Sequence, residues 1–327
     1  MTVPPNPRFV SVIIGTRNRP DMLRKALASI RAIEGPDLKF EILVGDNGTT
    51  PETAGIVAEF GGIYDKTDVY GCPAARNLAL RRVSGEFIAF IDDDDVWLPG
   101  HVRPHIAFLD AHPDYEAVFG QIITADENLN PIALPWPEKL PANGDVFRPM
   151  MSGYFPQVGA TVVRGRALAK YGLMDEALIG DSDWDWQLRI AGDNKIGHVQ
   201  EPCVLFRQRK KGAFNALQLR RAGYTRRIFI RHALANRKRW GSALEMIRSY
   251  FESVSTYYSY FMDVAADRAM SGDRVGAAKA LASAFWVLPT RTVRALLGRP
   301  HRTTLANIFL PGAARPLSED AGQAHRG

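Results

Sequence analysis

Along the first 200 residues, short unbroken apolar runs alternate with stretches in which apolar residues recur every three or four positions. Runs at 9–14 (FVSVII), 40–44, around Ile63, 87–91 (FIAFI) and 117–123 predict strands, the first of them buried on both faces. Between the first two, Met22, Leu23, Ala26, Leu27 and Ile30 keep helical spacing after Pro20, a proline tolerated in a first helical turn. Further helices are predicted over 51–60, 74–82 and 100–111. This alternation predicts an α/β fold, a mostly parallel Rossmann-like sheet with crossover helices. Open sheets of that kind bind ligands beyond the carboxyl ends of their strands. Three polar loops occupy such ends: 15–19 (GTRNR), 45–48 (GDNG) and 92–95 (DDDD). A proline-rich stretch over 130–149 reads as a long functional loop over the sheet. Beyond Arg207 the β pattern fades, and three amphipathic helices are predicted over 213–239, 242–270 and 274–297. The pattern divides the chain into a sheet domain over 1–212, a helical region over 213–310 and a tail over 311–327 expected to be disordered.

Composition narrows the class. A chain of 327 residues, 46% hydrophobic and 23% charged, buries a sizeable core, which excludes disordered, collagenous and disulfide-scaffold proteins. Two cysteines, Cys72 and Cys203, exclude a Cys-rich zinc site, and the first residues lack the blocks of a signal peptide. The apolar stretch 280–288 is interrupted by Ser283 and stopped by Pro289, short of the ~20 residues a membrane span needs. A reduced, cytoplasmic protein is expected. The net charge of +6 hides an asymmetry: residues 1–202 carry 19 basic against 28 acidic groups (−9), residues 203–327 carry 22 against 7 (+15). The basic third is the part expected to meet an anionic partner.

Two segments carry candidate chemistry. Asp92, Asp93, Asp94 and Asp95 directly follow an apolar strand, and in an extended chain Asp92 and Asp94 share one side. Four carboxylates at the mouth of a sheet repel one another unless a hard divalent cation sits among them. A helix cap accounts for one Asp and leaves three unexplained. The second segment, 180–191 (GDSDWDWQLRIA), reads as a loop and a short helix ended by Gly192. With Ser182 as N-cap, Asp185 completes a capping-box-like pair and Asp183 sits at the first helical position, free for use as a general base. Asp181 is the alternative base. Trp184 and Trp186 divide between a core role and a ring face covering a sugar. His101, His105 and His112 lie on one helix; the first two have i, i+4 metal spacing without the Glu of a zinc protease motif, and read as structural.

The segments VSVIIGTRNRP (10–20), EILVGDNGTT (41–50), GCPAARNLAL (71–80), GEFIAFIDDDDVW (85–97) and SDWDWQLRIA (182–191), in that order, resemble the family 2 glycosyltransferases of the glycosyltransferase-A fold. The resemblance reaches to about Gly212 and leaves the C-terminal helices unexplained. It implies a nucleotide-sugar donor, with Thr16, Arg17 and Asp46 around base and ribose and Arg76 near ribose or phosphates. It puts the family's D-x-D motif on Asp92, Asp93 and Asp94, with Asp94 the direct ligand of Mn²⁺ or Mg²⁺ and the other two nearer the ribose and metal waters. Counted back from Arg189, it assigns the catalytic base to Asp183. The chain departs from the family where Ser182 replaces Glu and where Gly48-Thr49-Thr50-Pro51 replaces Gly-Ser-Thr-Asp. No His follows the last core strand; Phe206-Arg207-Gln208-Arg209-Lys210 stands there, offering Arg or Lys to the diphosphate instead.

What the resemblance implies is an inverting, metal-dependent transfer from a nucleotide sugar of the uridine diphosphate class to a saccharide or lipid-linked acceptor, in cell-surface polysaccharide or glycolipid synthesis. Phe285, Trp286, Val287 and Leu288 near Arg291 and Arg294 suggest peripheral contact of the basic helices with the anionic inner face of a membrane, or alternatively a homo-oligomer contact. A retaining transferase is separated by the product anomer, and a nucleotidyltransferase by pyrophosphate release. A basic nucleic-acid-binding module rests on the +15 segment alone, and no nucleic-acid partner is expected.

Overall fold

The computed structural model describes residues 6–208 and 218–297. Arg209 and Lys210, the start of the first C-terminal helix (213–217) and the tail 311–327 lie outside the described residues. Among those described, the strands are β1 (Arg8–Thr16), β2 (Leu38–Asp46), β3 (Ile63–Lys66), β4 (Phe87–Asp92), β5 (Val96–Trp97), β6 (Tyr115–Ala125), β7 (Thr161–Arg164) and β8 (Lys195–Arg207). They form one mixed sheet in the order β3-β2-β1-β4-β7-β6-β8-β5. β3-β2-β1-β4 and β6-β8 pair in parallel, while β7 is antiparallel to both β4 and β6 and joins the two blocks.

Helices α1 (Pro20–Ala32), α2 (Glu52–Glu59) and α4 (Arg103–Ala111) cover one face, and α3 (Cys72–Leu80), α5 (Phe147–Met151), α7 (Ser182–Asp193) and α8 (Gln218–Ala235) cover the other. Alternate β1 residues supply the two layers. Val10, Val12 and Ile14 pack with Leu23, Leu27 and Ile30 of α1, and Ile13 packs in the opposite layer, where Leu80 and Trp186 lie. α6 (Arg166–Tyr171) is a short helix beside α7. The predicted helix over 100–111 begins later, at Arg103, because Val102 takes a positive φ of 67° and Pro104 occupies the first turn. The proline-rich stretch returns along β6, where Trp136 and Ile122 exchange main-chain hydrogen bonds of 2.8 Å.

Packing divides the chain into Met1–Tyr250 and Phe251–Gly327, so α8 belongs to the same compact unit as the sheet. The second unit contains most of α9 (Ala243–Met270), α10 (Arg274–Val287) and α11 (Pro289–Leu297). The single helix expected over 274–297 is two helices. Pro289 lacks a main-chain N–H and its ring obstructs the preceding turn, so α10 stops at Val287 and Pro289 opens α11. Among the described residues, no helix is long and apolar enough to cross a membrane.

Candidate active site

The sheet register sets three strand ends side by side. Thr16 pairs with Asp46 across β1 and β2, and Gly15 pairs with Asp92 across β1 and β4. α3 is brought down on these ends by Gly45, whose absent Cβ would lie 1.9 Å from the Ala75 carbonyl oxygen. That close approach delivers the next residue, Arg76, to the mouth of a cleft of about 330 Å³. Thr16, Arg17, Arg19 and Tyr70 line one part of it, and Asp92, Asp93 and Asp94 the floor. Asp181, Asp183 and Arg221 complete the opposite wall.

Within the acidic loop the four carboxylates have separate partners. Asp93 turns toward β1, accepting from the Thr16 hydroxyl (2.8 Å), the Arg17 N–H (3.3 Å) and Arg19 Nη1 (2.8 Å). The same Arg19 nitrogen is 3.2 Å from Asp94. Asp92 is paired with Arg76. Asp95 does not cap a helix: it accepts the Arg207 main-chain N–H at 2.8 Å and is buried. Oxygens of Asp92, Asp94 and Asp95 lie within 4.8 Å of one another, close enough to share one cation. Burial, together with Asp94 and Asp92 and against the pull of Arg19, raises the Asp93 carboxyl to about 6. Burial and the neighbouring carboxylates push Asp95 well above the usual range. Carboxylates that resist ionising beside one another fit a site built for a divalent cation.

α7 begins differently from its expected form. The N-cap is Asp181, held in the left-handed region (φ 61°), and Ser182 is the first helical residue. Asp183 is therefore second in the helix, its Oδ1 accepting the Trp184 N–H at 2.9 Å. Its Oδ2 is 3.7 Å from Arg76 Nη1, so one buried guanidinium reaches both Asp92 and Asp183. Asp185 makes no capping box. Fully buried, it is held by His232 Nε2 (3.0 Å), Arg231 (3.2 Å) and Arg189 (3.3 Å). Burial alone raises its pKa, but the interactions with His232 and the charges of Arg189 and Arg231 outweigh that and hold the carboxyl below its ordinary value. Asp181 is engaged by Arg221 and, at 2.8 Å, by the Thr225 hydroxyl, both from α8.

Of the residues singled out in the sequence, Thr16, Arg17, Arg76, Asp92, Asp93, Asp94 and Asp183 share the cleft. Asp46 does not line it. Fully buried, Asp46 accepts the Gly48 N–H (2.6 Å) and the Tyr64 hydroxyl (2.9 Å), shaping the loop instead. Neither tryptophan offers a ring face: Trp186 packs edge-on against Phe90 and bonds the Gly172 carbonyl at 2.8 Å, and Trp184 packs edge-on against Phe155. Arg207 turns inward to the main-chain carbonyls of Asp94 (2.6 Å) and Glu127, so it supports the acidic loop from behind. Sequence reading passed over Arg19, Tyr70, Gln157 and Arg221. Arg19 was visible in the first loop motif; Tyr70, stacked 4.7 Å from the Arg17 guanidinium, Gln157, 3.4 Å from Asp92, and Arg221 carry no local signal.

The family profile described as glycosyl transferase family 2 matches residues 11–171. A chain similar to an uncharacterized glycosyltransferase of Methanocaldococcus jannaschii, this one is 27% identical to it over 208 residues, 61% of this chain and 70% of that protein. It is 32% identical over 125 residues to the GalNAc(5)-diNAcBac-PP-undecaprenol beta-1,3-glucosyltransferase of Campylobacter jejuni, covering 36% of this chain and 39% of that one. Staphylococcus aureus TarS 1–349 in complex with UDP-GlcNAc shares the fold, with a TM-score of 0.60 at 16% identity over 92% of this chain and 87% of that chain.

Proposed function

We propose that this chain, which belongs to the family 2 glycosyltransferases, moves a sugar with inversion from a uridine diphosphate donor to a hydroxyl of a saccharide or lipid-linked acceptor. The observation that carries the reading is the Arg76 guanidinium, which reaches Asp92 in the acidic loop and Asp183 on α7. Displacing a nucleoside diphosphate from a sugar needs positive charge where the leaving phosphate becomes negative, and a base on the opposite side of the anomeric carbon. Arg76, whose buried Nε has no hydrogen-bond partner among the described residues, and Arg19 meet the diphosphate. Arg17 and Tyr70 face the nucleoside, while Thr16 and Asp93 hold that loop in register.

Asp94 and Asp92, with Asp95 behind them, would hold a divalent cation, Mn²⁺ or Mg²⁺, which when bound offsets the charge growing on the diphosphate. Asp183 accepts the proton of the attacking hydroxyl at Oδ2, a role that contributes about 10²- to 10⁴-fold. A single displacement inverts the anomeric centre. The Campylobacter relative's undecaprenol-linked acceptor supports a lipid-linked acceptor here, in synthesis of a surface polysaccharide or glycolipid. Exposed Phe285 and Trp286 at the end of α10, with Arg291 and Arg294 on α11, support peripheral contact with an anionic membrane. Flotation with anionic and neutral liposomes tests it; binding indifferent to lipid charge turns those helices toward self-association.

The donor site is tested by thermal unfolding with nucleoside diphosphates and nucleotide sugars, each with and without Mn²⁺. A ligand at 100 times its Kd adds about 2.7 kcal/mol to stability. A Mn²⁺-dependent shift with uridine diphosphate, enlarged by one sugar, is the expected result. No shift with any nucleotide would overturn the reading.

A further inference from the structure

We infer that His101, His105 and Cys203 form a second metal site, a buried three-donor site for a zinc-class cation. The three come from the turn before α4, from α4 and from β8, and one ligand atom of each lies within 4.8 Å of the others. All three side chains are fully buried. Cys203 Sγ is 3.8 Å from His105 Nε2. Bonds of about 2.3 Å to sulfur and about 2.05 Å to nitrogen at a tetrahedral angle set that edge at about 3.6 Å.

Ordinary core packing accounts for part of the cluster. His105 Nε2 is 3.3 Å from the Ala160 carbonyl, and Cys203 Sγ is 3.0 Å from the Glu201 carbonyl. It accounts for the His101 ring, which packs edge-on against Trp97 and His105, but leaves its nitrogens poorly served: among the described residues, neither of them nor Nδ1 of His105 has a well-formed hydrogen bond, and the Gly159 carbonyl beside His101 also accepts Trp97 Nε1 at 3.2 Å. Gly120 lets the two side chains approach its main chain: a Cβ there would stand 2.3 Å from Cys203 Sγ and 3.1 Å from His105 Nε2.

One sulfur and two imidazoles select a borderline cation such as Zn²⁺, in contrast to the oxygen donors of the cleft. Binding replaces the Cys203 S–H bond with a metal–sulfur bond and releases that proton to water. Such a cation would tie β8 to the segment after β5, where Trp97 pairs with Val204 and Leu98 N–H bonds the Cys203 carbonyl at 2.8 Å. Those are the segments that carry the acidic loop and the Arg207 that supports it, so the metal would stiffen the base of the loop.

The test is metal content of the full chain produced in zinc- or cobalt-supplemented medium, after exhaustive chelation. About one zinc per chain survives chelation in wild type and in Asp94→Ala, and is lost in Cys203→Ser. The cobalt-loaded wild type shows a thiolate-to-cobalt charge-transfer band. That spectrum decides the matter even where Cys203→Ser fails to fold. Folded wild type with no chelation-resistant zinc and no such band overturns the inference, whatever becomes of the transferase reading.

Discussion

Asp183 and Asp185 stand two residues apart on α7, and their substitution separates catalysis from folding. Asp183→Asn keeps the size of the side chain and an oxygen to accept the Trp184 N–H at 2.9 Å. It removes an ion pair of 3.7 Å with Arg76, which retains Asp92. Loss of a partly exposed pair costs about 0–1 kcal/mol, and loss of a charge in the first helical turn about 0.3–1 kcal/mol. Unfolding stability is therefore expected to fall by less than about 2 kcal/mol. The turnover rate is expected to fall by about 10²- to 10⁴-fold, or about 2.7–5.5 kcal/mol of barrier, because an amide cannot accept the acceptor proton. Asp185→Ala does the reverse. It takes the carboxylate from buried His232, while Arg231 keeps Asp175 and Arg189 keeps the Tyr171 and Leu173 carbonyls, and costs about 3 kcal/mol, with no proton acceptor lost from the cleft. Release of nucleoside diphosphate measures the first effect, isothermal titration of the nucleotide checks that binding persists, and urea unfolding measures the second. An Asp183→Asn enzyme within about threefold of wild-type turnover would refute the assignment and move the base to Asp181.

Asp94→Ala is expected to abolish the Mn²⁺-dependent part of nucleotide binding while leaving apo stability unchanged or higher, since it removes repulsion against buried Asp93; titrations with and without the cation check this. Gly45→Ala drives a methyl into the Ala75 carbonyl, so α3 and Arg76 must shift, at a cost of about 1–3 kcal/mol and with weaker nucleotide binding. Gly55→Ala on α2 meets nothing within 4 Å and should instead stabilise by about 0.5–1 kcal/mol in the same urea assay. Acid should destabilise the protein below about pH 6.5, because burial lowers the pKa of His198 to about 4, of His105 to about 3 and of His101 well below its ordinary value. These groups stay neutral in the fold while the unfolded chain takes up protons, so their stabilisation is complete above the unfolded pKa and lost as pH falls. From pH 6.5 to 5, His105 and His198 each lose about 1.6 kcal/mol, offset in part by Asp93 and Asp95, whose raised pKa values favour the fold as pH falls. Urea midpoints that rise steadily from pH 6.5 to 5 would show that this reckoning is wrong.

Much of the site was legible in one dimension. Buried strands and one-sided helices impose periods of two and 3.6 on apolar residues, so β1, α1, β2 and β4 were readable, and with them the polar loops at their ends. Asp92 and Asp94 do come together, but through a turn closed by the Asp95 N–H on the Asp92 carbonyl (3.1 Å) rather than the alternation of an extended chain, and the turn brings Asp95 in with them. The partners of those groups were not legible. Arg207 grips Asp94 and Asp95 from 113 and 112 residues away, and Arg221 reaches Asp181 across 40. Which cation meets which carboxylate depends on the strand order, above all on antiparallel β7 set between β4 and β6, and no local periodicity encodes that order. The same distinction separates Trp184 and Trp186, whose sequence context suits core and sugar platform alike, from their buried places against Phe155 and Phe90. Sequence determined the elements and the chemistry at their ends, because burial repeats with the backbone's own period; tertiary structure decided which charges are paired and which face the cleft, because those contacts exist only once distant strands lie side by side.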